Sequence, residues 1–104
     1  MKAADKSKNA LDVKTATRLA ELFSALSDTS RIRIISLLTR QEMNVGDLAT
    51  AVDLSESAVS HHLKGLRQMQ LVRSRKEGRH VFYALDDDHV AELFGRGLNH
   101  VLHG

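Results

Sequence analysis

Asp53-Leu54-Ser55-Glu56-Ser57-Ala58-Val59-Ser60-His61-His62-Leu63-Lys64 carries a helix break and a two-faced helix within twelve residues. Asp53-Leu54-Ser55 is a tight break between two helices, and Ser55 is a cap residue for a helix from Glu56 to about Met69. Ala58, Val59, Leu63 and Leu66 recur at helical spacing and define its core face. The opposite face carries Ser57, Ser60, His61, Lys64 and Gln68. Small hydroxyls and an imidazole in the first turns, with positive charge farther along, suit a helix that enters a DNA major groove by its N-terminal end. An ordinary solvated helix face has the same pattern, so the neighbouring elements decide between the two. On the N-terminal side, Asn44-Val45-Gly46-Asp47 opens a short helix with Leu48, Ala49 and Val52 inward, which completes a helix-turn-helix.

On the C-terminal side, Leu71 to Leu85 alternates apolar and polar residues about a Glu77-Gly78 turn, the pattern of a β-hairpin. Arg75, Lys76, Arg79 and His80 lie around its tip. A basic hairpin beside a helix-turn-helix is a wing, and its tip charges are placed for phosphate or the minor groove. From Lys64 to Arg79 the chain has Lys64, Arg67, Arg73, Arg75, Lys76 and Arg79 against Glu77 alone.

Two further helices precede this unit. One runs from Val13 to Leu26 with Ala16, Leu19, Ala20, Phe23 and Leu26 at core spacing; the next runs from about Ser30 to Arg40, with Ile32, Ile34, Ile35, Leu37 and Leu38 apolar. Residues 1–11 show no periodicity and are expected to form a mobile arm. Residues 12–104 then make a single domain.

The last helix is the least self-sufficient. Val90, Leu93, Phe94, Leu98 and Val101 form one apolar stripe that needs a partner, and Gly97 on that side would admit a close backbone. His89, His100 and His103 fall in a narrow arc beside it. His100 and His103 are one turn apart, whereas His89 is eleven residues from His100, roughly 16 Å along the axis at ~1.5 Å per residue. An antiparallel copy of the helix closes that gap. Asp87 and His89 of one protomer then face His100 and His103 of the other, giving two symmetric sites with an O/N donor set suited to zinc. Asp86, Asp87 and Asp88 are also what a helix start requires for capping, and three histidines near a chain end can be a solvated face. Cobalt and nickel accept the same donors. Ligand imidazoles must be neutral, so such a site loses affinity as pH falls through the histidine range near ~6.5.

Composition narrows the alternatives. The chain has 104 residues, 27% of them charged, a net charge of +2 and no cysteine, which excludes disulfides, thiolate catalysis and soft-metal thiolate sites. No apolar run approaches the ~20 residues of a membrane helix, and residues 1–12 are polar with charges of both signs, so a cytoplasmic protein without a signal peptide or membrane partner is expected. A zinc hydrolase would need an open coordination position and a general base. Four ligands at a two-fold seam leave no such position.

Ala25-Leu26-Ser27-Asp28 before Arg31-Ile32-Arg33-Ile34, then Val45-Gly46-Asp47-Leu48-Ala49, Leu54 to Leu63 and the Gly78-Arg79-His80-Val81-Phe82-Tyr83 hairpin together resemble the ArsR/SmtB family of winged-helix metal-sensing repressors. The resemblance runs in order from about Ala16 onward. It implies a mainly α fold with a β-hairpin wing, a homodimer through the first and last helices, an inverted-repeat DNA operator, and release when metal binds. DNA-reading positions carry over as Ser57, Ser60 and His61, with Val45 and Glu56 beside them; Lys64 and the hairpin charges Arg75, Lys76 and Arg79, read above from the residues themselves, complete the expected DNA-binding set. Asn44 stands where arsenic, cadmium or lead sensors of the family carry a cysteine. The zinc and cobalt sensors carry D-x-H and H-x-x-H on the last helix, matched by Asp87, His89, His100 and His103, so residues 87–103 are expected to dimerise and to sense metal. Thr29 stands where relatives often have proline. A regulator of the same fold that answers another signal, or none, is the alternative.

Overall fold

Five helices and three strands make up the described residues, 9–104, of a computed structural model. The arm expected over residues 1–11 lies mostly outside the described residues. In chain order the elements are α1 (Val13–Leu26), α2 (Thr29–Leu38), β1 (Met43–Asn44), α3 (Val45–Val52), α4 (Glu56–Gln68), β2 (Val72–Glu77), β3 (His80–Leu85) and α5 (Asp88–His103).

Each helix begins on a side chain that accepts a free backbone N–H. Asp12 accepts from Thr15, Asp28 from Arg31, Asn44 from Asp47, Ser55 from Ala58, and Asp87 from His89 and Val90. The second helix therefore starts one residue earlier than expected and ends at Leu38, two residues short of Arg40.

The ends of α3 and α4 use one device. Leu54 N–H donates to the Ala49 carbonyl across Asp53, and Leu71 N–H donates to the Leu66 carbonyl across Gln70. Asp53 and Gln70 hold φ of 57° and 58°, left-handed conformations that let the chain reverse tightly after each helix. The first makes the turn between α3 and α4, and the second aims the chain from α4 into the hairpin.

The sheet has the order β1-β3-β2, all antiparallel. Glu77 pairs with His80, so the hairpin loop is Gly78-Arg79 rather than Glu77-Gly78. Gly78 takes φ +61° at the first central position, which a two-residue hairpin loop demands. Strand β1 was not expected, because two residues carry no alternation signal. It pairs Met43 with Tyr83 and Asn44 with Phe82, tying the start of α3 to the wing.

The core is made by Ile34, Ile35 and Leu38 of α2, Leu48, Ala49 and Val52 of α3, and Val59, Leu63 and Leu66 of α4, closed by Leu71, Val72 and Val90. Ile32, expected inside, is 38% exposed. Helix α1 buries none of its residues. It leans on the core through Leu22, Ala25 and Leu26, while Leu19 and Phe23 of the expected core line are 41% and 51% exposed. Helix α5 is anchored only at its start by Val90 and Phe94, with Val101 and Leu102 80% and 63% exposed. These outlying helices stretch the chain to 60 × 31 × 22 Å and a radius of gyration of 16.8 Å, against about 13 Å for a compact domain of this length.

Candidate nucleic-acid interface and metal centre

Helix α4 presents Ser57, Ser60, His61 and Lys64 on its exposed face and Glu56 at its exposed start. Ser55 fixes this first turn by accepting one of its free N–H groups, that of Ala58. Two grooves flank the helix. One, of about 310 Å³, is walled by Ser60, Lys64, Arg67 and Gln68 with Tyr83 of β3 opposite. The other, of about 330 Å³, lies between Glu56, the Asn44-Val45-Gly46 start of α3, and Arg79, His80 and Val81 of the wing. Val45, half-buried, and Arg79 thus share a groove with Glu56 across three different elements. Arg67, above only one charge of the basic segment, and Tyr83 line the first groove without being among the expected DNA-binding residues. The signal for Arg67 was its place one turn beyond Lys64, whereas Tyr83 reaches the groove only through strand register.

The wing charges are not equivalent. Lys76 and Arg79 are exposed near the tip. Arg75 is held from three sides: its Nε donates to both oxygens of Glu42 at 3.0 Å, its Nη1 donates to Glu77, and its guanidinium lies 4.9 Å above the Phe82 ring. Glu42 and then Glu77 stabilise its charge and push its pKa up; reciprocally, Arg75 holds the Glu42 carboxyl below the usual range. Glu42, just before β1, has no periodic signal in the sequence, and its role follows from the β1–β3 pairing.

At the start of α5, Asp87 and His89 are neighbours, with Asp87 Oδ2 3.4 Å from His89 Nδ1. Burial raises the Asp87 pKa and hydrogen bonds from His89 and Val90 lower it, the net effect being downward, so the carboxylate is a ready anionic donor. His100 and His103 sit in the last turn of the same helix, exposed, and the fold does not bring them to His89 within one chain. Among the described residues, no three His, Cys, Asp or Glu side chains gather at one point. A groove of about 240 Å³ joins Asp87 and His89 to Gln70 and Leu71, the left-handed turn that ends α4. No described helix is long and apolar enough to cross a membrane.

Comparison with known proteins agrees with this architecture. Residues 28–74 match the family described as bacterial regulatory protein, arsR family. The transcriptional repressor SmtB homolog of Synechocystis sp. is 48% identical over 91 residues, covering 88% of this chain and 69% of that one. The cadmium resistance transcriptional regulatory protein CadC homolog of Staphylococcus aureus is 39% identical over 83 residues, covering 79% and 69%. In three dimensions, the homodimeric winged helix-turn-helix DNA-binding domain of a possible ArsR-family regulator from Mycobacterium bovis matches with a TM-score of 0.78 at 30% identity, over 91% of this chain and 94% of that one. The α3–α4 pair is therefore the helix-turn-helix and the β2–β3 hairpin its wing. The chain belongs to the ArsR/SmtB family of winged helix-turn-helix transcriptional regulators, DNA-binding proteins and not enzymes.

Proposed function

We propose that this protein is a metal-responsive repressor that binds an inverted-repeat operator as a homodimer and leaves it when zinc is bound at the dimer seam. The observation that carries this reading is the layout of α5. An Asp87–His89 pair stands at its anchored end and His100 and His103 at its exposed end, along a stripe in which Leu98, Val101 and Leu102 meet no core of their own. Pairing α1 and α5 with those of a second chain covers Leu19, Phe23, Leu98 and Val101 and sets each Asp87–His89 pair against the partner's His100 and His103. These four side chains would hold zinc, with cobalt or nickel accepted by the same donors. The metal supplies a link across the seam.

In the metal-free dimer, Ser57, Ser60 and His61 read bases, with Val45 and Glu56 beside them, while Lys64, Lys76, Arg79 and Arg75 lie toward phosphate. Glu56, being acidic, is suited to a cytosine amine rather than to affinity. The two α4 helices must then stand about 34 Å apart, one helical turn of DNA. The groove that joins His89 to Gln70 offers a route between the two sites, because metal-ligating imidazoles use their second nitrogen to hold a nearby carbonyl or carboxylate. Linkage requires reciprocity: whatever factor zinc takes from DNA affinity, DNA takes from zinc affinity, typically about 5–150-fold.

Derepression of metal efflux or sequestration genes follows from this reading. A relative named for cadmium resistance fits a metal signal in general, while Asn44 and the absence of cysteine turn this chain toward nitrogen and oxygen donors. A second reading, a regulator answering another signal or none, is favoured by one observation: Asp87 is already employed as the cap of α5. Isothermal titration of the dimer with zinc separates the two. Two high-affinity sites per dimer, lost in His100→Ala, support the first; no binding at neutral pH supports the second.

A further inference from the structure

Gly65 lies in the middle of α4, where glycine weakens a helix about fivefold in its folding equilibrium relative to alanine. Its surroundings show what occupies the missing side chain's place. A Cβ at position 65 would stand 2.6 Å from Nη2 and 2.9 Å from Cζ of Arg31, so the guanidinium lies directly across the bare backbone. From there Arg31 Nε donates to His62 Nδ1 at 3.2 Å, and Nη1 donates to the Ala25 carbonyl at 3.1 Å. Its own backbone N–H donates to Asp28, whose Oδ2 lies 3.9 Å from His62 Nδ1. One side chain thus joins the end of α1, the start of α2 and the middle of α4.

We propose that Arg31 is a positioning residue for the DNA-reading helix, and that Gly65 is the slot that admits its guanidinium. The inference rests on the reading of α4 as that helix. His61, whose ring centroid is 6.1 Å from that of His62, and Ser57, Ser60 and Lys64 take their attitude from a helix pinned at His62 and Gly65 to the α1–α2 corner. An alanine at 65 does not meet an immovable wall, since the guanidinium ends a flexible side chain. The guanidinium swings out instead, and both of its hydrogen bonds are lost.

The test is a double-mutant cycle with two readouts. Gly65→Ala, Arg31→Ala and the double variant are compared with the unsubstituted dimer by urea unfolding at fixed protein concentration. The same proteins are titrated against an inverted-repeat duplex selected by the protein from a randomised pool, and against its scrambled version. In the Arg31→Ala background, Gly65→Ala should strengthen folding by about fivefold, and in the native background it should not. Gly65→Ala alone should lower selected-duplex affinity by about tenfold while scrambled-duplex affinity changes less than about twofold, and add no further loss once Arg31 is gone. Arg31→Lys, which keeps the charge without the fork, should behave as Arg31→Ala. Should Arg31→Ala not fold, Arg31→Met keeps the apolar stem and completes the cycle. Equal effects of Gly65→Ala in both backgrounds overturn the brace. A dimer that does not distinguish the two duplexes overturns the DNA reading and the positioning role with it, while the urea cycle still decides whether the brace exists.

Discussion

Asp87 and His89 meet twice at the start of α5: Asp87 Oδ1 accepts the His89 backbone N–H at 2.9 Å, and Asp87 Oδ2 lies 3.4 Å from the His89 ring nitrogen Nδ1. One carboxylate therefore caps the helix with one oxygen and turns the other toward an imidazole. Capping needs only a side-chain oxygen, which asparagine also has, whereas an anionic metal donor needs the charge. Asp87→Asn should leave the thermal midpoint of the metal-free dimer nearly unchanged and lower zinc affinity by about a hundredfold or more, beyond what loss of an outer-shell partner does. Asp87→Ala should lower both. Calorimetric melting and competition with a zinc chelator measure the two effects separately.

Val101 is 80% exposed on a helix whose anchored end is buried at Val90. If α5 pairs with its copy, Val101→Asp places a charge in an apolar seam without disturbing the core of either chain. The dimer dissociation constant should rise by about thirtyfold or more, the effect of a central interface residue. Sedimentation equilibrium reads it, and far-ultraviolet circular dichroism should show unchanged helix content.

The wing makes a prediction about unequal charges. Each phosphate contact adds about one unit to the slope of log affinity against log salt. Arg79→Ala should reduce that slope by about one for each protomer, and so should Lys76→Ala. Arg75→Ala should reduce it less, because Glu42 and Glu77 already answer its charge. Anisotropy titrations from low to moderate salt distinguish the three.

Asp28 gives a pH dependence with a definite sign. Its carboxyl is held below its ordinary range chiefly by the hydrogen bond from the Arg31 backbone N–H, with attraction to His62 adding to it; Asp12 is held down likewise by Thr15. A depressed folded-state pKa stabilises the fold above the unfolded-state value near ~3.9, and that stability is lost as pH falls through the lower folded value. Urea midpoints should therefore fall as pH drops below about 5, and Asp28→Asn should make this acid limb shallower.

The helix-turn-helix was legible because its signals are local. Ser55 caps α4, Leu48, Ala49 and Val52 of α3 and Val59, Leu63 and Leu66 of α4 are buried as expected with Ala58 half-buried, and α1 has its expected bounds. What escaped were features set by tertiary contact. Strand β1 exists because Met43 and Asn44 lie beside β3, and the hairpin loop sits one residue later because Gly78 takes the positive φ. Leu19 and Phe23 have core spacing, yet the face of α1 that meets this chain's core is Leu22, Ala25 and Leu26. A hydrophobic period identifies a face that needs covering and is silent on whether the same chain covers it. The candidate metal residues were legible by type and spacing, and their division between the two ends of α5 follows from helix geometry. The Arg75 clamp and the Arg31 bridge were not, since each joins residues more than thirty positions apart.

The proposed coupling is that zinc held by α5 changes how α4 holds DNA. It is tested most directly by fluorescence anisotropy of a labelled inverted-repeat duplex, selected by the protein, titrated with the dimer at one stated salt concentration, with and without stoichiometric zinc. Zinc should weaken binding by a factor in the range of about 5–150, and His100→Ala should bind the duplex normally but no longer respond. Equal affinity with and without zinc, in a dimer shown to bind zinc, would contradict it.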